Sequence, residues 1–220
     1  MTLRAQVAFS FLFATLCLAA SPVQAQSVLR KSRTITSQDD ENSPPLTIRV
    51  YKFAPLSSWT LVSAETEAAR ILRRTHLRLA WINCPSAANS GPCSIPEGPT
   101  DLILRVLATA LPQASADALG MAAAAPYGNC AFLFYDRIVA CRTYRALTYQ
   151  VLGRAIAHEM VHLLLPASSH TVSGLMRKNW STEDLQFGGQ AGVGLSTRWI
   201  KLIQEEGLRR TRAAKTLLDK

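Results

Sequence analysis

The sequence predicts an α/β protein built on one mixed, mostly parallel, twisted sheet. Two observations indicate this class. Short apolar segments in the first half of the chain alternate with a helical segment in the order strand, helix, strand, and strands joined by a crossover helix pair in parallel. Further along, a long apolar helical segment precedes a final amphipathic segment that is rich in basic residues.

The predicted elements follow in order along the chain. We expect strands at residues 46–53, 77–83 and 101–107, with a crossover helix at residues 63–75 between the first two. A long helix is expected at residues 146–164. The C-terminal helix is expected to turn four apolar side chains inward, which are Leu202, Ile203, Leu208 and Leu217.

The N-terminal region is typical of an exported chain. In residues 1–25, Arg4 precedes an apolar run and Val23-Gln24-Ala25 resembles a signal-peptide cleavage site. The run is too short to span a bilayer comfortably, so we expect no stable membrane insertion after cleavage. Residues 26–45 are polar and end in two prolines, which predicts a flexible leader. Residues 46–220 are expected to form a single domain of a secreted or periplasmic protein.

Cysteine usage agrees with export. Cys17 is expected to leave with the signal, and an even number of cysteines remains. In an oxidising compartment this predicts two disulfides, and the order along the chain favours Cys84–Cys93 around a loop and Cys130–Cys141 across a hairpin. A structural zinc site is the alternative, although the usual C-x₂₋₄-C spacing is missing.

The formal net charge of +9 is partly concentrated in residues 201–220. The solvated face of an amphipathic helix accounts for these charges, and attraction to an acidic surface is the alternative. No nucleic-acid-binding motif accompanies them, so we expect no nucleic-acid partner.

The pattern H-E-x-x-H occurs at His158-Glu159-Met160-Val161-His162 within the long apolar helix. Histidines four residues apart project from one helix face, so both can bind one metal ion. Glu159 points to the side, where a carboxylate can act as general base on a metal-bound water. The motif therefore predicts a metal site for hydrolysis.

His170 is the expected third ligand. Three of the four histidines of the chain lie between residues 158 and 170, and a catalytic zinc needs three protein ligands with one open position. Pro166 disfavours helix in the residue before it, so the helix should stop near Leu164 or Leu165 and let the chain turn back. We therefore expect one Zn²⁺ held by His158, His162 and His170.

Two other interpretations of these residues stay open. The first is an ordinary core helix whose histidines bind backbone carbonyls, with Glu159 paired to a cation such as Arg154. The second takes Glu183 as third ligand, as in the gluzincin class of peptidases. Glu183 equally fits the acidic first turn of a helix that Ser181 caps. His76 lies far from the motif and is expected to be an ordinary surface residue.

The motif and its surroundings resemble the metzincin clan of zinc peptidases, whose signature is H-E-x-x-H-x-x-G-x-x-H followed by a methionine turn. Here His170 stands eight residues after His162 rather than six, and Leu165 replaces the glycine. The resemblance implies that Met176 lies beneath the metal. It also implies a substrate-side edge strand near Gly120, followed by a strand at residues 131–135, where a peptide substrate adds as an extra strand.

These observations predict a secreted zinc-dependent endopeptidase with a metzincin-like fold. In it, Glu159 activates a zinc-bound water that hydrolyses peptide bonds of a peptide or protein substrate. The alternative from another functional class is a secreted binding protein that keeps the fold without catalysis.

Overall fold

The computed structural model describes residues 33–34, 43–85, 91–123, 129–141, 147–165, 170–181, 184 and 194–219. The chain divides into two units, Met1–Lys31 and Ser32–Lys220, and every described residue lies in the second. The predicted signal peptide therefore lies outside the described residues. Within the described ranges, no helix has the length and apolarity needed to cross a membrane.

The sheet is mixed and mostly parallel, as the sequence predicts. Its described strands are β1 (Arg33–Thr34), β2 (Pro45–Lys52), β3 (Arg78–Cys84), β4 (Asp101–Leu107), β5 (Gly120–Ala122) and β6 (Cys130–Phe134). They lie in the order β1-β3-β2-β4-β6-β5. The four central strands pair in parallel, and each edge strand pairs antiparallel to its neighbour. Within the predicted leader, β1 is a short strand that pairs with β3.

Four α-helices are described: α1 (Ser58–Leu72), α2 (Tyr135–Ala140), α3 (Thr148–Leu164) and α4 (Thr197–Leu218). Helix α1 connects the parallel strands β2 and β3, which confirms the predicted crossover. It begins earlier than the predicted residue 63, because the Ser57 hydroxyl accepts a hydrogen bond from the Thr60 N–H at 3.0 Å and caps the first turn.

The core lies between the sheet and helices α1 and α3, which pack against each other. Alternate residues of β2, namely Leu46, Ile48 and Val50, are fully buried there. Gly153 of α3 allows the two helices to approach closely, because an added Cβ would lie 2.7 Å from the Ala64 carbonyl oxygen of α1. Helix α3 is therefore held tightly against the rest of the fold, and it presents the H-E-x-x-H motif from a rigid support.

Helix α4 forms as predicted, but its inward face differs from the predicted one. Ile203 is buried as expected, whereas Leu202, Leu208 and Leu217 are 38%, 44% and 61% exposed. Gly207 packs beneath Leu77, and the buried Arg210 donates hydrogen bonds to the Leu163 carbonyl of α3 and to Asn129. Gly207 and Arg210 thus lie on the inward face where leucines were expected. The guanidinium can be buried because its hydrogen bonds to oxygen atoms compensate for the loss of water.

One of the two predicted disulfides is present. Cys84, at the end of β3, is bonded to Cys93 and closes the loop between them. The expected Cys130–Cys141 bridge is wrong, because both thiols are free. The segment is not a hairpin: β6 continues directly into helix α2, so Cys141 does not return opposite Cys130 as the second strand of a hairpin would.

Candidate metal centre

Helix α3 carries the motif and has defined ends. At its start, the Leu147 N–H donates to the Gln150 side chain at 3.1 Å. At its end, Leu165 is extended with ψ 151°, as expected for a residue that precedes proline. The predicted stop at Leu164 is therefore confirmed. The turn through residues 166–169 lies outside the described residues.

The structure brings the three predicted histidines together. The His162 Nε2 atom lies 3.0 Å from His158 Nε2 and 3.2 Å from His170 Nε2. His158 is buried, His162 is half-buried and His170 is exposed, so the cluster extends from the core to the surface. The fourth histidine, His76, is exposed at the end of a short 3₁₀ turn after α1, as the sequence predicts.

The cluster fits a zinc ion. The His158 Nδ1–H donates to the Leu175 carbonyl at 2.8 Å, which leaves the lone pair of Nε2 free to face the other two rings. Tetrahedral zinc with Zn–N bonds of about 2.05 Å places neighbouring ligand nitrogens about 3.3 Å apart. The two observed nitrogen separations are close to this value. Facing lone pairs repel each other without a proton or cation between them, so this donor set suits a cation.

Electrostatics keep the histidines neutral, which is the form that binds metal. Burial lowers the pKa of His158 to about 4, although its hydrogen bond to the Leu175 carbonyl raises the pKa by a smaller amount. Burial, together with the two neighbouring histidines, lowers the pKa of His162 to about 3. The pKa of His170 is lowered by partial burial and by the charge of Lys178. Near neutral pH, the three rings therefore carry no positive charge that would oppose a metal ion.

Glu159 is buried beside the cluster and lies against the edge strand β5. The Ala122 backbone N–H of β5 donates to its carboxylate. An added Cβ at Gly120 would lie 2.7 Å from Glu159 Oε1 and 2.8 Å from the Phe132 carbonyl oxygen, so only glycine leaves room for this carboxylate. Burial raises the pKa of Glu159 to about 8, although the Ala122 bond opposes the shift. No ion pair joins Glu159 to any other described residue, including Arg154.

The raised pKa of Glu159 predicts a pH-dependent stability of the metal-free protein. Because the folded pKa of about 8 exceeds the ordinary value of 4.5 for a glutamate, the folded state retains a proton that the unfolded chain loses. Stability from this group is therefore lost as the pH rises between those values, by up to about 1.4 kcal/mol per unit. Glu159→Gln removes this dependence, so we expect the variant to gain stability over wild type from pH 5 to pH 8.

Urea unfolding of both metal-free proteins at several pH values measures this difference. The histidines contribute in the opposite direction, because their folded pKa values are lowered, but they are identical in both proteins and cancel. A difference between the two unfolding free energies that stays constant from pH 5 to pH 8 would contradict the prediction.

A turn after His170 completes one wall of the site. The Thr171 N–H donates to the Met176 carbonyl, and Gly174 adopts a positive φ of 82°, a conformation that favours glycine. Met176 is buried in the hydrophobic core at 1% exposure. Its implied position beneath the metal stays a prediction.

Two residues of this wall were missed by sequence reasoning. The Leu175 carbonyl accepts the His158 bond, and it also accepts a bond from the Trp180 indole N–H at 3.2 Å. The Trp180 ring meets the His158 ring edge-on, with centroids 5.5 Å apart. A backbone carbonyl leaves no signal in sequence, but a tryptophan ten residues after the third histidine could have been noticed.

A cap after Trp180 fixes the following chain. Ser181 and Asp184 exchange hydrogen bonds, because the Ser181 N–H donates to the Asp184 carboxylate and the Asp184 N–H donates to the Ser181 hydroxyl. This reciprocal pair confirms the predicted cap. Arg154 of α3 donates a hydrogen bond to the Asp184 carbonyl at 2.8 Å. Glu183, the alternative third ligand, lies outside the described residues.

A cavity of about 440 Å³ joins the histidines to the edge strand. Glu159 and the three histidines line one side, and residues of β5 and the segment before it line another. Strand β5 is an edge strand, and β6 follows it, as the resemblance implied. Leu119 and Ala123 bond to β6, so the alternate residues Gly120 and Ala122 turn their backbone polar groups away from it.

The fold and this site define an α/β protein with a three-histidine metal-site candidate and an acidic residue beside it in an open cleft. A search of family models finds no match, and neither does a search of curated proteins.

Among solved structures, the chain is similar to a zinc-dependent peptidase from Methanocorpusculum labreanum (strain Z). That likeness has 13% identity, covers 71% of this chain and 99% of the other, and has a TM-score of 0.48. The chain is also similar to archaemetzincin from Methanopyrus kandleri, with 12% identity, coverage of 75% and 97%, and a TM-score of 0.48. Both likenesses are distant, and the chemistry of the site depends on the residues of this chain.

Proposed function

We propose that this protein is a secreted or periplasmic zinc-dependent endopeptidase, with His158, His162 and His170 as the metal ligands and Glu159 as general base. The observation that supports this most is the convergence of three imidazole nitrogens within 4.8 Å of one another, two pairs of them near the spacing of a tetrahedral metal, in one cavity with a buried carboxyl group. A structural metal site needs no such carboxyl group and no open cleft, whereas hydrolysis needs both.

Zinc in this site would supply a Lewis acid that lowers the pKa of a coordinated water to about 7 and polarises a carbonyl oxygen. The His158 Nδ1–H bond to Leu175 fixes the tautomer that directs Nε2 towards the ion. Glu159 would be ionised with a cation bound beside it, because opposite charge favours the carboxylate. It then accepts the proton of the attacking water and passes it to the amine that leaves the cleaved bond.

The edge strand is proposed to hold the substrate. Gly120 and the Ala122 carbonyl direct backbone groups away from β6, while the Ala122 N–H is bonded to Glu159, and β5 lines the same cavity as the histidines. An extended peptide can add to such an edge through main-chain hydrogen bonds, which places its carbonyl groups along the site. Because these bonds do not depend on side chains, the preference for particular residues must come from the walls of the cleft.

Incubation of the purified chain with a mixed peptide library, followed by mass spectrometry, tests this function. We expect cleavage at internal bonds, loss of cleavage when a chelator removes the metal, and recovery when zinc is returned. Two results would contradict the proposal: no cleaved peptide with zinc-loaded protein, or cleavage that persists after elemental analysis shows the metal to be gone.

A further inference from the structure

The Leu175 carbonyl is shared by two side chains of the candidate metal centre. It accepts the His158 Nδ1–H at 2.8 Å and the Trp180 Nε1–H at 3.2 Å. Leu175 is fully buried, so water does not replace either donor. The carbonyl thus connects Trp180, which coordinates nothing itself, to a proposed metal ligand.

The orientation of this carbonyl depends on those two side chains. Leu175 lies in a turn, where the neighbouring carbonyls of Gly174 and Met176 accept backbone hydrogen bonds from Arg177 and Thr171. No described backbone N–H donates to the Leu175 carbonyl itself. A carbonyl oxygen has two lone pairs. When the Trp180 indole N–H occupies one lone pair of the Leu175 carbonyl, the second lone pair is directed at His158.

Trp180 also restricts the His158 ring directly. The two rings meet edge-on, at 5.5 Å between centroids and 89° between planes. Trp180 is partly buried against the core. The Ser181–Asp184 cap and the Arg154 bond to Asp184 anchor the chain that follows it. His158 is thereby limited in both ring rotation and tautomer.

We propose that Trp180 is a positioning residue for the metal centre, which acts through the Leu175 carbonyl to hold His158 with Nε2 directed at the ion. The inference depends on the proposed metal site and adds to it a residue outside the ligand set. Partners that orient a metal-bound histidine typically contribute 10–100-fold to metal affinity. Trp180 is expected to contribute within this range.

Zinc affinity of two Trp180 variants tests the proposal. Trp180→Phe keeps an aromatic ring against His158 but removes the N–H, and Trp180→Leu removes both. We expect the zinc Kd, measured by competition with a chromophoric chelator, to rise roughly 10-fold in the first variant and further in the second, up to roughly 100-fold. Trp59→Phe is the matched control, because Trp59 is 68% exposed on α1 and should leave the Kd unchanged.

A second measurement observes the tautomer of His158 directly, in wild type and in Trp180→Phe. In metal-free wild-type protein, ¹⁵N NMR of the histidine rings is expected to show His158 as the Nδ1–H tautomer. In Trp180→Phe, that signal should broaden or shift towards the other tautomer, with the far-UV circular dichroism unchanged. A merely structural role would not alter the tautomer of one ring in a folded protein.

The outcomes separate this inference from the proposed function. A zinc Kd of Trp180→Phe within twofold of wild type, or an Nε2–H tautomer of His158 in wild type, would overturn the inference. Failure of wild type to bind zinc would overturn it together with the metal site. Zinc binding that responds to Trp180 in a protein that cleaves no peptide would support the inference and contradict the peptidase.

Discussion

Glu159→Gln is expected to keep zinc bound and to lower peptide hydrolysis by roughly 10²–10⁴-fold, the usual contribution of a general base. The amide can still accept the Ala122 N–H bond that holds the carboxyl group, so the site should keep its shape. It cannot take a proton from water at neutral pH. The loss should therefore appear in kcat, with zinc content near one per chain.

Steady-state kinetics and elemental analysis of the same preparation measure both parts of this prediction. Glu205→Gln is a suitable control, because Glu205 is exposed on α4 and its ion pair among the described residues is a long one, 3.9 Å from Lys201. The control should match wild type in both measurements. Hydrolysis by zinc-loaded Glu159→Gln at the wild-type rate would remove Glu159 from the mechanism.

His162→Ala is expected to abolish both tight zinc binding and hydrolysis. His162 is the central member of the cluster, with Nε2 close to the same atom of both other histidines. Loss of a residue that merely orients a ligand costs 10–100-fold in metal affinity, so loss of the ligand itself should cost more than about 100-fold. The metal-free variant should remain folded, because His162 is only half-buried.

The control for this variant is the histidine outside the cluster. His76 has a positive φ of 51°, a conformation that asparagine tolerates, so His76→Asn removes an imidazole with little strain. Titration with zinc and a competing chelator should give this control the wild-type Kd. A Kd of His162→Ala within tenfold of wild type would show that the ion does not bind at this cluster.

Much of the sheet could be predicted because its signals are local. The strand at residues 101–107 is confirmed at both ends, and the strands near residues 46 and 77 are confirmed to within one residue. The end of α3 follows from the geometry that Pro166 imposes on Leu165. The grouping of His158 and His162 follows from helical spacing, and His170 follows from its closeness in sequence.

What could not be predicted depends on tertiary contacts. The Cys130–Cys141 bridge was expected from a hairpin, but residues 135–140 form a helix once Ile138 is buried in the core. The inward face of α4 depends on Arg210, whose burial is stabilised by carbonyls far away in sequence. The contacts of Glu159 with β5 and of Trp180 with Leu175 involve backbone groups, which have no side-chain pattern.

The most direct test of the central claim is the zinc content of the purified, oxidised protein by elemental analysis, with His170→Ala measured beside it. His170 is the exposed member of the three proposed ligands, and it lies outside the H-E-x-x-H motif. Its removal therefore tests whether the site needs all three histidines. The three-histidine site predicts one zinc per chain in wild type and loss of that zinc in the variant. Absence of zinc from wild type would contradict the site, and tight zinc in the variant would instead favour another third ligand such as Glu183.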